Sequence, residues 1–193
     1  MTRSLDQQAR RLRLVEAARE LAGEGGYPAV TMHDVADRAG VARATVYRYF
    51  ASKDHLLTEV AALWARSIIA DVTLTAPDGS PTERLTALLV RIVEVSAADL
   101  VLTTAIMQAL TSGDPGVEDS RTELYVFVRA RLATAMGTDL PGQADVEVVI
   151  GHLLLSALVS LTSLRRPTGE VTGMVRTAAR LLMAGALSGP PAR

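Results

Sequence analysis

An all-α fold is predicted by three features of the sequence. Apolar residues recur at helical spacing along most of the chain, no stretch alternates apolar and polar residues as a half-buried strand would, and glycine and proline cluster between the periodic stretches. The 193 residues are 49% hydrophobic and 21% charged, a globular composition sufficient for one domain or two small ones sharing a core.

The elements follow in order. A first helix is expected from near Asp6 to Glu24, with Leu14, Ala18, Leu21 and Ala22 on one face. Gly25 and Gly26 end it and Pro28 prevents its resumption. Thr31 caps a short second helix with Asp34 at the capping-box position, and Met32, Val35, Ala36 and Ala39 point inward. Gly40 breaks that helix, and a third runs from about Ala42 to Phe50 with Val46 and Phe50 inward. Ser52 caps a long fourth helix carrying Leu57, Val60, Ala61, Trp64 and Ile68 on one stripe.

Beyond a turn at Ala76–Pro81, Thr82 is expected to cap a fifth helix bearing Leu85, Leu88, Leu89 and Ile92. A sixth helix, about Leu100–Thr111, stops at Gly113–Gly116. A seventh, about Val117–Met136, is expected to bury Leu124, Phe127, Val128 and Leu132. After a loop over Gly137–Asp145 come an eighth helix, Val146–Arg165, and a ninth with Met174, Val175, Ala178, Leu181 and Leu182 on one side.

Composition removes several function classes. The absence of cysteine excludes disulfides and thiolate metal sites and fits a reducing cytoplasm. His33, His55 and His152 fall in no ligand spacing, so no metal is expected; His33 and His55 read as surface residues and His152 as a satisfied buried or interface histidine. Arg3, Arg10, Arg11 and Arg13 have no apolar run behind them, which argues against a signal peptide. The apolar stretch Val146–Leu164 approaches the length of a membrane span, but Glu147, His152 and five Ser, Thr or Gly residues interrupt it, so a protein interface is preferred. No nucleophile elbow, zinc-protease helix or P-loop is present, and Gly23-Glu-Gly-Gly26 lacks the preceding strand of a dinucleotide site. Neither catalysis nor a cofactor is expected.

Net charge is −1, with residues 1–60 holding nine Lys/Arg against eight Asp/Glu. The informative segment is Thr31–Lys53, TMHDVADRAGVARATVYRYFASK, which reads as two short helices joined at a glycine. If Val46 and Phe50 face inward, the opposite side of the third helix carries Arg43, Ala44, Tyr47 and Arg48. Arg43 or Arg48 can bond a guanine edge bidentately, and Ala44 can touch a thymine methyl. Thr31 and Lys53 begin the flanking helices, where phosphate can be held. Arg10, Arg11 and Arg13 either extend these contacts or form an ordinary charged surface.

Residues 11 to 60 resemble the TetR family of repressors in the run GGYPAVTMHDVADRAGVARATVYRYFASKDHLL, most specifically in TVYRYFASKDHLL. The resemblance implies a nine-helix fold with a three-helix DNA-binding domain over 1–52, a ligand-binding and dimerisation domain over 53–188, and a tail over 189–193. It also implies phosphate contacts from Thr31, Thr45, Tyr49 and Lys53, with base contacts from Arg43, Ala44, Tyr47 and Arg48. Ala42 departs from the pattern, because the family often has a serine capping that helix. The stretches LVLTTAIMQALTSGDPGVEDS and RRPTGEVTGMVRTAARLLMAG are similar to KstR-type regulators of steroid and lipid catabolism in actinobacteria, which implies a lipid-derived acyl-CoA effector.

On this reading the protein is a cytoplasmic homodimer, joined through helices eight and nine, that binds a pseudo-palindromic operator in double-stranded DNA. Trp64, Met107, Tyr125, Phe127 and His152 are the candidate pocket residues, each at a position that a plain core would also use. A regulator of drug efflux with a cationic or aromatic ligand is the alternative. With only seven aromatic residues, several of them in the DNA-binding part, the chain leans towards an aliphatic or steroid-like effector.

Overall fold

The computed structural model describes residues 2–75, 79–137 and 142–188. Among these, nine α-helices and one 3-10 turn account for the regular structure: α1 (Thr2–Ala29), α2 (Met32–Arg38), α3 (Arg43–Tyr49), α4 (Lys53–Thr75), α5 (Pro81–Ala98), α6 (Leu100–Leu110), the 3-10 turn Pro115–Val117, α7 (Glu118–Met136), α8 (Gln143–Thr162) and α9 (Thr168–Ser188). The expected tail over 189–193, much of the loop Gly137–Asp145 and the centre of the turn Ala76–Pro81 lie outside the described residues.

By packing the chain divides into two compact units, Met1–Trp64 with Asp99–Thr122, and Ala65–Ala98 with Glu123–Arg193. The first unit therefore takes in α6 along with α1–α3, and α1 packs against both α2 and α6. Its core contains Leu14, Ala18, Val35, Val46, Phe50, Leu57 and Val60, all shut off from solvent. Burying each large apolar side chain contributes roughly 1.5–3 kcal/mol. The first helix starts earlier than its apolar stripe suggests, and its glycine stop is real: Gly26 takes φ 69 and breaks the helical path before Pro28. Thr31 caps α2 by accepting from the Asp34 N–H at 3.1 Å, and Gly40 at φ 64 closes it. Ser52 caps α4 by accepting from the His55 N–H at 3.1 Å.

In the second unit α9 packs against α5 and α8. The cap of α5 is Ser80 and not Thr82: its hydroxyl accepts from the Glu83 N–H, while the Glu83 carboxylate accepts from the Ser80 N–H at 2.8 Å. This is a Ser-x-x-Glu capping box with Pro81 at the first helical position, and the Ser80 N–H and hydroxyl, both donating to the Glu83 carboxylate, hold it below its ordinary range. Of the four residues expected to be buried on α7, only Leu132 is; Leu124, Phe127 and Val128 are half-buried, and Tyr125 and Val126 are exposed.

The inward stripe of α9 also differs from the expected one. Val171, Val175, Ala179 and Met183 are buried, while Met174 and Leu181 point to solvent. The helix carries apolar residues on two sides, so periodicity alone selects neither. The same holds for α8, where Val146, Ile150, Leu154, Ala157 and Leu161 face the core and Val148, Val149 and Leu155 are exposed. α8 is long and apolar enough to cross a membrane. Glu147 on it is ion-paired with Arg129 of α7 at 3.0 Å, an arrangement suited to water or a protein interface.

Candidate nucleic-acid interface

The outward face of α3 is set by two buried anchors. Val46 and Phe50 sit one turn apart on α3 at 0% exposure, which turns Arg43, Ala44, Tyr47 and Arg48 outward. Arg11 lies over the Phe50 ring at 5.3 Å and pairs with Glu59 at 2.8 Å, and His55 meets the same ring edge-on at 5.4 Å. Arg11 thus serves the fold, and Arg10 and Arg13 are the members of the basic arm left for other contacts. His55 is likewise no plain surface residue: its Nδ1 accepts from the Ala51 N–H at 3.3 Å, bridging the joint between α3 and α4.

Arg43 and Arg48 have no carboxylate partner among the described residues. The contrast is Arg38, whose guanidinium holds Glu20 at 3.1 Å and Glu24 at 2.8 Å, depressing the Glu24 carboxyl. Arg43 instead rests over the Tyr47 ring at 5.6 Å and donates to its hydroxyl at 3.3 Å; Arg48 rests over Tyr49 at 5.5 Å. Such cation–π rests contribute about 0.5–1 kcal/mol at exposed sites, less than a bidentate base contact, so both guanidiniums can leave them. Ala42 stands at the cap position of α3 with φ −68 and ψ 142 and supplies no side-chain bond.

The outer residues are less free. Thr31 is exposed, but its hydroxyl already caps α2 and bonds the Asp34 carboxylate, so a phosphate there would share it. Thr45 and Tyr49 are half-buried on the flanks of α3. Lys53, at the start of α4, is held in place: its ammonium lies 3.7 Å from the Tyr27 ring centroid and donates to the Tyr27 carbonyl at 3.3 Å.

Tyr27 is a residue that sequence reasoning overlooked. Its hydroxyl donates to Asp54 at 2.6 Å, and burial together with that bond raises its pKa to about 12. The signal available was an aromatic directly after the Gly25-Gly26 stop, ahead of Pro28. Asp114, in the turn after α6, is a second such residue. It accepts from the Ser52 hydroxyl and the Gly116 N–H, which lower its carboxyl pKa, and it thereby fastens that turn to the cap of α4.

The five candidate pocket residues divide between the units. In the first, Met107 is buried and Trp64 half-buried. In the second, Tyr125 lies against α8, where a Cβ added to Gly151 would meet its ring at 3.6 Å. Phe127 points another way, its ring flanked by Arg66 at 5.5 Å and Arg131 at 5.3 Å, and Arg129 lies 5.8 Å over Tyr125. His152 is exposed in the single chain and its Nδ1 lies 2.8 Å from the Val148 carbonyl.

Both parts of the chain are similar to known proteins. Residues 14–60 match the model of bacterial regulatory proteins of the tetR family, and residues 79–182 match a tetracyclin repressor-like C-terminal domain. The HTH-type transcriptional repressor KstR of Rhodococcus jostii is 34% identical over 92% of this chain and 84% of its own length. A TetR transcriptional regulator from Rhodococcus sp. RHA1 superposes with a TM-score of 0.82 at 28% identity, over 93% of this chain and 97% of that one. Thermus thermophilus FadR, solved in complex with lauroyl-CoA, shares the fold with a TM-score of 0.73 at 21% identity, over 95% and 98% of the two chains. A helix-turn-helix whose outward arginines meet no carboxylate among the described residues, joined to a helical C-terminal domain of matching family, leaves one assignment: the chain belongs to the TetR family of transcriptional repressors and is a KstR-like regulator.

Proposed function

We propose that the chain represses transcription in the cytoplasm as a homodimer on a pseudo-palindromic operator, and that a lipid-derived acyl-CoA releases it. The observation that carries the DNA-binding part is the outward face of α3, two guanidiniums that meet no carboxylate among the described residues, beside Ala44 and Tyr47. On this reading Arg43, Ala44, Tyr47 and Arg48 meet base edges, while Thr31, Thr45, Tyr49 and Lys53 meet phosphates. Residues 1–52 form the reading head and 53–188 the body. The outward apolar stripes of α8 and α9 join the two copies across a two-fold axis, which gives α8 a protein partner in place of a bilayer. Two heads then address successive major grooves, and a ligand acts only through its different affinity for the two head spacings.

The effector class is supported by charge. Tyr125 and Phe127, the aromatic residues of the second unit, already carry arginines over their rings. A cationic drug would have to displace those guanidiniums, whereas an acyl-CoA brings phosphates that pair with them. The lauroyl-CoA bound to FadR is the parallel among proteins of this fold. The test is fluorescence anisotropy of the protein on duplexes tiled across its own upstream region, at two salt concentrations and against a scrambled duplex. Tight, salt-sensitive binding to one tile, reversed by long-chain or steroid acyl-CoA and not by lipophilic cations, is expected. Equal weak binding to every tile overturns the operator reading, and release by cations alone restores the efflux alternative.

A further inference from the structure

We infer that the open groove between α5 and α9 in the second unit is a binding site for a phosphate-bearing small molecule. The groove encloses about 400 Å³ and is lined by Thr82, Glu83 and Thr86 from α5 and by Arg176, Thr177 and Arg180 from α9. Arg176 and Arg180 are one helical turn apart, so their side chains rise on the same side. Neither meets a carboxylate within ion-pair distance among the described residues. Elsewhere in the unit Arg129 holds Glu147 at 3.0 Å and Arg166 holds Glu170 at 3.5 Å. Two unengaged guanidinium forks with three threonine hydroxyls beside them form a donor set matched to a tetrahedral dianion.

Glu83 is the opposing charge among the lining residues, and one of its carboxylate oxygens is already engaged. That oxygen accepts from both the Ser80 N–H and the Ser80 hydroxyl at 2.8 Å, so part of its charge is neutralised by local donors. Size favours an organic phosphate over a bare ion, because the volume falls in the range of small-ligand pockets. The site is also separate from the proposed dimer face. On α9 the arginines flank one side of the buried stripe Val171, Val175, Ala179 and Met183, and the exposed Met174 and Leu181 flank the other. The inference therefore does not rest on the acyl-CoA reading.

The experiment is isothermal titration of the full chain with inorganic phosphate and with a sugar phosphomonoester, each against sodium chloride at matched ionic strength. The phosphomonoester should bind more tightly than phosphate, and chloride should give no heat of binding. Arg176→Gln and Arg180→Gln should each weaken binding about tenfold, the loss of one charged hydrogen bond. Glu83→Gln retains the capping box and should tighten binding by removing the repulsion. Arg166→Gln, outside the groove, should leave it unchanged. Operator binding is measured alongside, so that a failed repressor reading and a failed groove are told apart. Heats equal to those of chloride, or phosphate affinity that survives the double variant R176Q/R180Q, overturn the proposal.

Discussion

The outward side of α3 and the outward sides of α8 and α9 are both uncovered in a single chain, in opposite chemistry. On α3 the exposed groups are Arg43, Tyr47 and Arg48 around the small Ala44; on α8 and α9 they are Val148, Val149, Leu155, Met174 and Leu181. Guanidiniums in water are well solvated and bind when they meet an ordered array of phosphates and base edges. Apolar stripes on two neighbouring helices are poorly solvated and gain most by covering each other, as a two-fold interface allows. Under the proposed function the two surfaces take different partners, a polyanion on α3 and a second copy on α8 and α9, and a substitution on one should leave the other working.

Leu155→Glu should have the largest effect. An unpaired carboxylate buried in the proposed interface costs about 3–5 kcal/mol, so the dimer constant should weaken more than about a hundredfold while the helical circular dichroism stays intact. An unchanged sedimentation profile would remove α8 from the interface. Arg43→Ala strikes the polar surface instead. It should weaken operator binding about tenfold to a hundredfold, for about 1–3 kcal/mol of base contact, and leave the unfolding midpoint unmoved because the side chain is exposed. A dimer that weakens in parallel would mean the two surfaces are not independent.

Lys53→Gln sharpens the distinction between phosphate and base contacts. Binding should weaken uniformly across operator and scrambled duplexes, and the salt slope should fall by about one. Selective loss on the operator alone would move Lys53 into the group that reads bases. The smallest effect is expected from Ala42→Ser. The position has cap geometry and no side-chain bond, so a serine hydroxyl should stabilise the protein by about 1 kcal/mol in urea unfolding. Absence of that gain would show that the start of α3 is held by its neighbours in the fold.

The helix-turn-helix was legible in the amino-acid order alone. Val46 and Phe50 one turn apart, Gly26 and Gly40 as stops, and Thr31 and Ser52 as caps are local signals within a short stretch, and local hydrogen bonding and steric preference act on them directly. The helical count and type followed for the same reason. Tertiary structure decided everything that compares two candidates of equal local merit. On α8 and α9 both sides are apolar, and only packing against α5 and against each other selected Val171, Val175, Ala179 and Met183 over Met174 and Leu181. The grip of Tyr27 on Lys53 and Asp54, and of Asp114 on Ser52, joins residues far apart in the chain, and no periodicity records such a pairing. Burial on one helix face follows from spacing, but which face meets the core depends on neighbours that arrive only when the chain has folded.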